Sequence, residues 1–310
     1  MKAVRYHSHG DSDVLVYEDA DRPVAGPGQV VVKVAGTSFN PVDVAIRAGF
    51  LEQVFPVTLP HVPNFDVAGN IAEVGEGVSG WSVGDAVVAF LPMTAPGAAA
   101  EYVVAPAEAL AAAFRTGELA DAAALPSAGL AAWQALFEHA GLKTGHSVLI
   151  NGAGGAVGGY AVQLAAQAGA TVTATASARS IDRIRSYRAD RIVDYTATPL
   201  LQTAAGQRFD VVLNLAPTSP EETAQLVGLV ADGGTFVSTT TPGPEDAGRG
   251  VRTVRVLVRR DASQLAELVA RVDAGDLEIE VAERLPLADL AAVHDRAAAG
   301  RLAGKTVLTP

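Results

Sequence analysis

Four glycines crowd one short stretch of this chain: Gly152, Gly154, Gly155 and Gly158, in Asn151-Gly152-Ala153-Gly154-Gly155-Ala156-Val157-Gly158. The apolar run Val148-Leu149-Ile150 precedes them, and Val157, Ala161, Leu164, Ala165 and Ala168 follow at helical spacing. That change of period predicts a strand, a tight turn and a helix. Glycine suits such a turn because it takes unusual backbone angles and puts nothing bulky between the main chain and a ligand. The helix start behind it offers unpaired N–H groups and a partial positive charge, which together hold an anion. Residues Gly152, Ala153, Gly154, Gly155, Ala156, Val157 and Gly158 are therefore expected to cradle the pyrophosphate of a dinucleotide.

The residues downstream say which dinucleotide. In NAD-binding sheets a carboxylate about 20 residues past the first glycine, at the tip of the second strand, holds the ribose 2′-hydroxyl. Here that tip reads Ser177-Ala178-Arg179-Ser180, and no carboxylate comes before Asp182. A hydroxyl and a guanidinium bind a 2′-phosphate through charge-assisted hydrogen bonds, whereas a carboxylate repels it. The expected cofactor is NADP(H), held by Ser177 and Arg179, with Arg183 and Arg185 close enough in sequence to take the arginine's part. Asn214, near the end of the apolar run 209–215, falls where sheet strands deliver residues to the nucleotide crevice, by side chain or by backbone.

Metal chemistry has few ligands to draw on. Cysteine is absent, which removes thiolate nucleophiles, disulfides and Cys-based zinc sites together. The histidines, His7, His9, His61, His139, His146 and His294, show no paired spacing and are expected at the surface, so no metal is expected. Lys and Arg number 23 against 34 Asp and Glu, a net charge of −11 that argues against nucleic acid as a partner. No apolar stretch reaches the roughly 18 residues of a membrane helix, and Met1 to Gly10 is too polar for a signal peptide. A soluble, cytoplasmic protein without membrane contact is the expectation.

Elements must position these residues, and 310 residues suit two domains. Residues 1–124 are β-rich, with strands expected at 30–34, 70–74 and 83–90 and with Pro23, Pro27, Pro41, Pro56, Pro60 and Pro63 punctuating the loops. Helix and strand then alternate. Helices are expected at 121–125, 129–140, 181–188, 200–205 and 220–231, and strands at 171–176, 191–194, 209–215, 234–238 and 254–258. Several of these strands are apolar throughout, as in a parallel sheet covered on both faces. The tail holds helices at 262–274 and 287–299 and strands near 277–282 and at 305–308. A closing strand needs a sheet, and the first domain is its expected host. The fold class is therefore α/β: a doubly wound (Rossmann) sheet over 125–261, binding NADP(H), inserted in a β-rich catalytic domain of residues 1–124 and 262–310.

Longer motifs carry a family resemblance over nearly the whole length. Gly36 to Gly49, G-T-S-F-N-P-V-D-V-A-I-R-A-G, is similar to the segment N-x-x-D-x-x-x-R-x-G, and His61 to Gly75, H-V-P-N-F-D-V-A-G-N-I-A-E-V-G, resembles P-x-x-D-x-A-G-x-V-x-x-V-G. Leu125 to Leu136 resembles L-P-x-A-G-L-T-A-W-x-A-L, and Pro286 to His294 with Gly304-Lys305-Thr306-Val307-Leu308 completes the match. These motifs resemble zinc-independent members of the medium-chain dehydrogenase/reductase superfamily, close to its NADPH-dependent quinone oxidoreductases. The resemblance implies a GroES-like (chaperonin-10-like) barrel for the β-rich domain, a cleft between the domains, and hydride transfer from a nicotinamide to an activated carbonyl or alkene. It also implies that Tyr195 sits beside the 2′-phosphate with Ser177 and Arg179. Zinc-dependent relatives place a Cys where Asn40 stands and a His-Glu pair where Phe65-Asp66 stands, which leaves no zinc cage here.

Without a metal, the acceptor must be polarised by hydrogen bonds or arrive already activated. Asn40 is the candidate donor to a developing oxyanion, and it is equally placed to cap a short helix opening at Pro41. Asp43 and Arg47, four residues apart, are expected to pair in support, and Asp66 to be a hydrogen-bonded loop acid. Ala45 stands where many quinone reductases carry a tyrosine, and Ala131 where the family usually has a threonine. Both changes shrink and dry the lining, which suits a larger apolar substrate and a proton drawn from water. The expected function is NADPH-dependent reduction of quinones or α,β-unsaturated carbonyls. A pathway-specific enoyl reductase of polyketide-type thioesters and a non-catalytic NADPH-binding protein are the alternatives. The expected partners are a small apolar carbonyl or quinone and a second copy, paired through the last strand of the nucleotide sheet.

Overall fold

The structure, a computed structural model, describes all 310 residues. They divide into two compact units, Met1–Ser127 with Arg260–Pro310, and Ala128–Arg259. No helix is long and apolar enough to cross a membrane.

The first unit opens with β1 (Lys2–Arg5) and β2 (Val16–Asp19), an antiparallel pair. Then come β3 (Gln29–Ser38), α1 (Pro41–Arg47), β4 (Asp66–Val74), β5 (Ala86–Phe90), β6 (Tyr102–Pro106) and β7 (Leu110–Ala112). Strand β3 is the axis, with β4 along one edge and β6 along residues 29–33 of the other, both antiparallel. Val30, Val31 and Val32 are wholly buried, so this β-branched run is covered on both faces. Gly36 is needed where β3 brushes the next segment, because a Cβ there would come within 2.5 Å of the Ala120 carbonyl oxygen. Strand β5 starts at Ala86, later than 83, because Gly84 turns the chain with a φ of 95° and Val83 lies in solvent.

The chain then runs through α2 (Pro126–Trp133), which widens into a π-helical turn, Gln134–His139, where a single helix over 129–140 was expected. The second unit continues with β8 (Ser147–Asn151), α3 (Ala156–Gln167), β9 (Thr171–Ala176), α4 (Ile181–Ser186), β10 (Arg191–Asp194) and α5 (Leu200–Thr203). It ends with β11 (Phe209–Asn214), α6 (Pro220–Val227), β12 (Val230–Ser238) and β13 (Arg252–Arg255). The six strands form one parallel sheet in the order β10-β9-β8-β11-β12-β13. That is the doubly wound order, which reverses direction between β8 and β11. Val148, Leu149, Ile150, Val212 and Leu213 are fully buried, as central parallel strands require. The last strand covers 252–255 rather than 254–258, because its register follows the end of β12, Thr235 opposite Arg252 and Ser238 opposite Arg255. Leu257 beyond it is 68% exposed.

After Arg260 come α7 (Ala262–Asp273), β14 (Glu283–Pro286), α8 (Leu290–Ala298) and β15 (Thr306–Thr309). Strand β15 returns to the first sheet, antiparallel to β3, with Val307 opposite Ser38 and Leu308 opposite Thr37. Leu290 and Val293 of α8 join Tyr6, Phe39, Leu287 and Leu308 in that unit's core. A strand over 277–282 does not form. The four residues of β15 all face Glu283–Pro286, so the alternating segment before it has no strand left to pair with, and its Ala282 N–H donates to the Lys305 carbonyl at 2.9 Å.

Candidate active site and nucleotide cradle

Sheet register gathers a polar cluster in the first unit. Strands β3 and β4 set Ser38 opposite Asp66, and extending the β15 register by two residues sets Lys305 opposite Asn40. Asp66 is wholly buried at the start of β4, not in a loop, and its carboxylate is saturated. Oδ2 accepts from Ser127 Oγ at 2.6 Å, Asn40 Nδ2 at 2.8 Å and Ser38 Oγ at 2.9 Å, while Oδ1 accepts the Ser127 N–H at 2.9 Å. Lys305 Nζ lies 3.4 Å from Oδ2 and donates to Asn40 Oδ1 at 2.7 Å. Burial holds the Lys305 ammonium below its ordinary pKa, against the pull of Asp66 and Asp43.

Asn40 is where this network reaches outward: it is half-buried, while Ser38, Asp66, Ser127 and Lys305 are buried. It stands at the N-cap of α1 with Pro41 as the first helical residue. Its N–H donates to Asp43 Oδ2 at 2.8 Å, and its amide serves Asp66 and Lys305. The second hydrogen on Nδ2 has only the Ser38 carbonyl, at 3.5 Å, too far for an effective bond.

Asp43 and Arg47 do not pair. Asp43 turns to the N-cap, and Arg47 Nη1 donates to His294 Nδ1 at 3.3 Å. Burial, helped by the like charge of Asp66, pushes the Asp43 carboxyl up to about 7, while the Asn40 N–H and Lys305 oppose the shift. His61 and His294 are buried, against the expectation of surface histidines, and burial lowers them to about 4 and about 3. His294 packs edge-on against Phe39 at 5.0 Å, and His61 against Tyr6 at 5.4 Å. Tyr6, Asp43, His61 and Asn64 line a small cavity with room for about one water molecule. The Tyr6 hydroxyl and the Asn64 amide lack partners within the protein.

The second unit carries the glycine turn. Gly152 turns the chain at the end of β8 with a φ of 89°, and its N–H donates to Thr175 Oγ1 at 2.9 Å. A Cβ on Gly158 would come within 2.4 Å of the Gly152 carbonyl oxygen, and one on Gly154 within 2.7 Å of Ser180 Oγ. Gly155 is different: a Cβ there meets only the Gly152 carbonyl at 3.5 Å, ordinary contact. Gly155 caps α3, and Gly159 N–H to Gly155 O is the first intrahelical bond. The N–H groups of Ala156, Val157 and Gly158 therefore point ahead of the helix, as an anion needs.

Strand register also places the neighbouring residues. Asp194 pairs with Ala176, so Ser177 and Tyr195 emerge side by side from the carboxyl ends of β9 and β10. Arg183 Nη2 donates to the Gly154 carbonyl at 2.6 Å and props the turn, and Arg185 pairs with Asp182 at 2.7 Å. Arg179 is exposed and bonds no group of the protein, and the Ser177 and Tyr195 hydroxyls are likewise uncommitted. Asn214 sits inside the sheet end. Its Oδ1 accepts from Asn151 Nδ2 at 2.8 Å, its Nδ2 donates to Thr218 Oγ1 at 3.0 Å, and its carbonyl accepts the Thr239 N–H, so it ties β8 to β11 at the point where the strand order reverses.

Ser38, Ser127 and Lys305 were not foreseen as site residues. The one local signal was the lysine opening Gly304-Lys305-Thr306-Val307-Leu308, and its place depends on which strand β15 joins.

Known proteins share this plan. Residues 26–114 match the family model described as the alcohol dehydrogenase GroES-like domain, and residues 187–308 the one described as zinc-binding dehydrogenase. A chloroplast envelope quinone oxidoreductase homolog of Arabidopsis thaliana is 34% identical over 332 residues, covering 100% of this chain and 98% of the relative. A 2-methylene-furan-3-one reductase of Solanum lycopersicum is 30% identical, over 100% of this chain and 79% of the relative. The solved structure of the quinone oxidoreductase from Coxiella burnetii superposes with a TM-score of 0.89 at 28% identity, over 100% of this chain and 99% of that one. A GroES-like unit with a doubly wound nucleotide sheet defines an oxidoreductase of the two-unit dehydrogenase/reductase class. Within that class, the chain belongs to the medium-chain dehydrogenase/reductase superfamily, among its quinone oxidoreductase-like members.

Proposed function

We propose that the protein is an NADPH-dependent reductase of quinones and α,β-unsaturated carbonyls that works without a metal. The observation that carries the cofactor is the uncommitted trio Ser177, Arg179 and Tyr195 at adjoining strand ends next to the glycine turn. Arg183 and Arg185 are occupied, so Arg179 is the arginine for the 2′-phosphate. The turn is open for the diphosphate at Gly155, with the α3 N–H groups behind it. Bound there, NADPH would supply the hydride.

The donor set speaks against a resident zinc. Asn40 and Ser127 are neutral, Asp66 is already saturated, and the Lys305 ammonium occupies the place where a cation would be attracted. The acceptor must then be one that hydride addition turns into a delocalised oxyanion, as quinones and enones do. Asn40 supports that charge with its uncommitted N–H, a contribution of about 3 kcal/mol for one well-placed donor. With Ala45 in the place of a tyrosine, water delivers the proton. The names of the two relatives, a quinone oxidoreductase homolog and a methylene-furanone reductase, favour these acceptors.

The test is oxidation of NADPH and of NADH against benzoquinone, naphthoquinones, short enones and crotonyl thioesters. Turnover of quinones or enones with preference for NADPH is expected. Turnover confined to the thioesters would make the protein an enoyl reductase, and NADPH binding without any turnover would leave a non-catalytic binder.

A further inference from the structure

Asn40 ends in an amide whose two faces look alike in shape and differ only in charge. Left to itself such a group flips, and its N–H points the wrong way half the time. Here a buried carboxylate and a buried ammonium stand at its two ends: Asp66 Oδ2 is 2.8 Å from Nδ2, and Lys305 Nζ is 2.7 Å from Oδ1. The flipped amide would press its carbonyl against Asp66 and its N–H groups against the ammonium, two repulsive contacts in a site shielded from water. We propose that Lys305 and Asp66 are positioning residues for the reaction, which lock the Asn40 amide so that its second N–H always faces the acceptor oxygen. This deepens the reading of Asn40 as oxyanion donor and rests on it. The ammonium does more than orient. A cation bonded to an amide oxygen polarises the amide and makes its N–H a stronger donor.

Lys305 fits this task better than a general role in stability. Its Nζ also donates to the Phe39 carbonyl at 3.3 Å, so the ammonium is anchored on the residue next to Asn40 and cannot follow the amide if it turns. Ser127 Oγ gives its one proton to Asp66 Oδ2 at 2.6 Å, which leaves Lys305 as the donor that holds Asn40 Oδ1.

The decisive variant keeps the buried charge balanced. Lys305→Met with Asp66→Asn removes both charges at once, so neither is left buried alone. The double variant is expected to fold with a Tm near that of the parent and an unchanged KM for NADPH, while kcat falls about tenfold through loss of an ordered, polarised donor. Adding Asn40→Ala to it should produce no further fall beyond that of Asn40→Ala alone, because the three act as one unit. Additive losses, or a folded double variant with parental kcat, would overturn the proposal. A readout independent of turnover is the side-chain amide spectrum of protein labelled with 15N-asparagine, which has only five asparagines. The Asn40 pair is expected as one sharp set in the parent, and as a shifted or exchange-broadened set in the double variant. An unchanged Asn40 pair would sink the proposal even if no acceptor in the panel is turned over, whereas an inactive parent with the spectral change would overturn only the assigned function.

Discussion

The two polar regions of this protein are built on opposite plans. Around Asp66 every strong group has found a partner inside the protein, and only Asn40 keeps one N–H in reserve. At the ends of β9 and β10, Ser177, Arg179 and Tyr195 have found none. The saturated cluster holds its charges paired, whereas the open one leaves the Arg179 guanidinium without a counter-charge. Groups that must act in a transition state gain from being fixed beforehand, while groups that must recognise a ligand gain from being left uncommitted.

Breaking the saturated cluster should have the largest effect. Lys305→Met alone leaves Asp66 buried without its cation, and a loss of about 3–5 kcal/mol is expected by denaturant unfolding. Restoring neutrality with Asp66→Asn should recover most of it. The open cluster should behave otherwise: Arg179→Ala should leave Tm unchanged and lower the preference for NADPH over NADH about 10- to 100-fold, the worth of one charged hydrogen bond. Equal affinities before and after would end the assignment of Arg179. The glycine turn sharpens the contrast within one loop. Gly155→Ala is expected to keep the fold and weaken NADPH, since its Cβ meets only a 3.5 Å contact in the protein, whereas Gly158→Ala forces a 2.4 Å clash and should lower both Tm and binding.

The pH dependence of stability divides by sign. Asp43 keeps its proton from its ordinary 3.8 up to about 7 in the folded state, so raising pH through that window favours the unfolded chain. His61 and His294, lowered from 6.5 to about 4 and about 3, bind fewer protons when folded and make stability rise over the same range. Asp43→Asn should therefore gain Tm relative to the parent as pH increases from 4 to 7, and a constant difference would contradict a neutral buried Asp43. The smallest effect belongs to Tyr6→Phe. Removing a buried hydroxyl without a protein partner should be neutral or stabilising by up to about 1 kcal/mol.

The glycine turn was legible because its tightest contact is local in sequence: a Cβ on Gly158 would strike the Gly152 carbonyl and Ala153, six and five residues back, although Gly152 and Gly154 also face Leu215 and Ser180 from farther along the chain. The short strands β9 and β10 were legible for a local reason too, the β-branched residues Thr171, Val172, Thr173 and Thr175 in one and Ile192 and Val193 in the other. The cluster around Asp66 was not, since it joins residues that meet only through the pairing of β3 with β4 and β15. Asp43 and Arg47 show the same limit. Their spacing allows an ion pair, and the deciding partners, Asn40 and His294, lie outside any pattern of period 3.6. The alternation of Leu277, Ile279 and Val281 was real and misled, because a strand needs a neighbour as well as a rhythm.

The place of Lys305 in the chain orders the protein's assembly. Residues 128–259 are contiguous, so the second unit can complete its sheet from its own segment as soon as that segment is made. The first unit cannot. Its carboxylate at Asp66 waits through the synthesis of nearly 240 further residues for its ammonium, 239 positions away. Until β15 docks on β3, the earlier half of the sheet holds an uncompensated acid and an open edge, both of which favour a loose state. A nascent chain that ended before Lys305 would thus carry a complete second unit and a first unit still without β15.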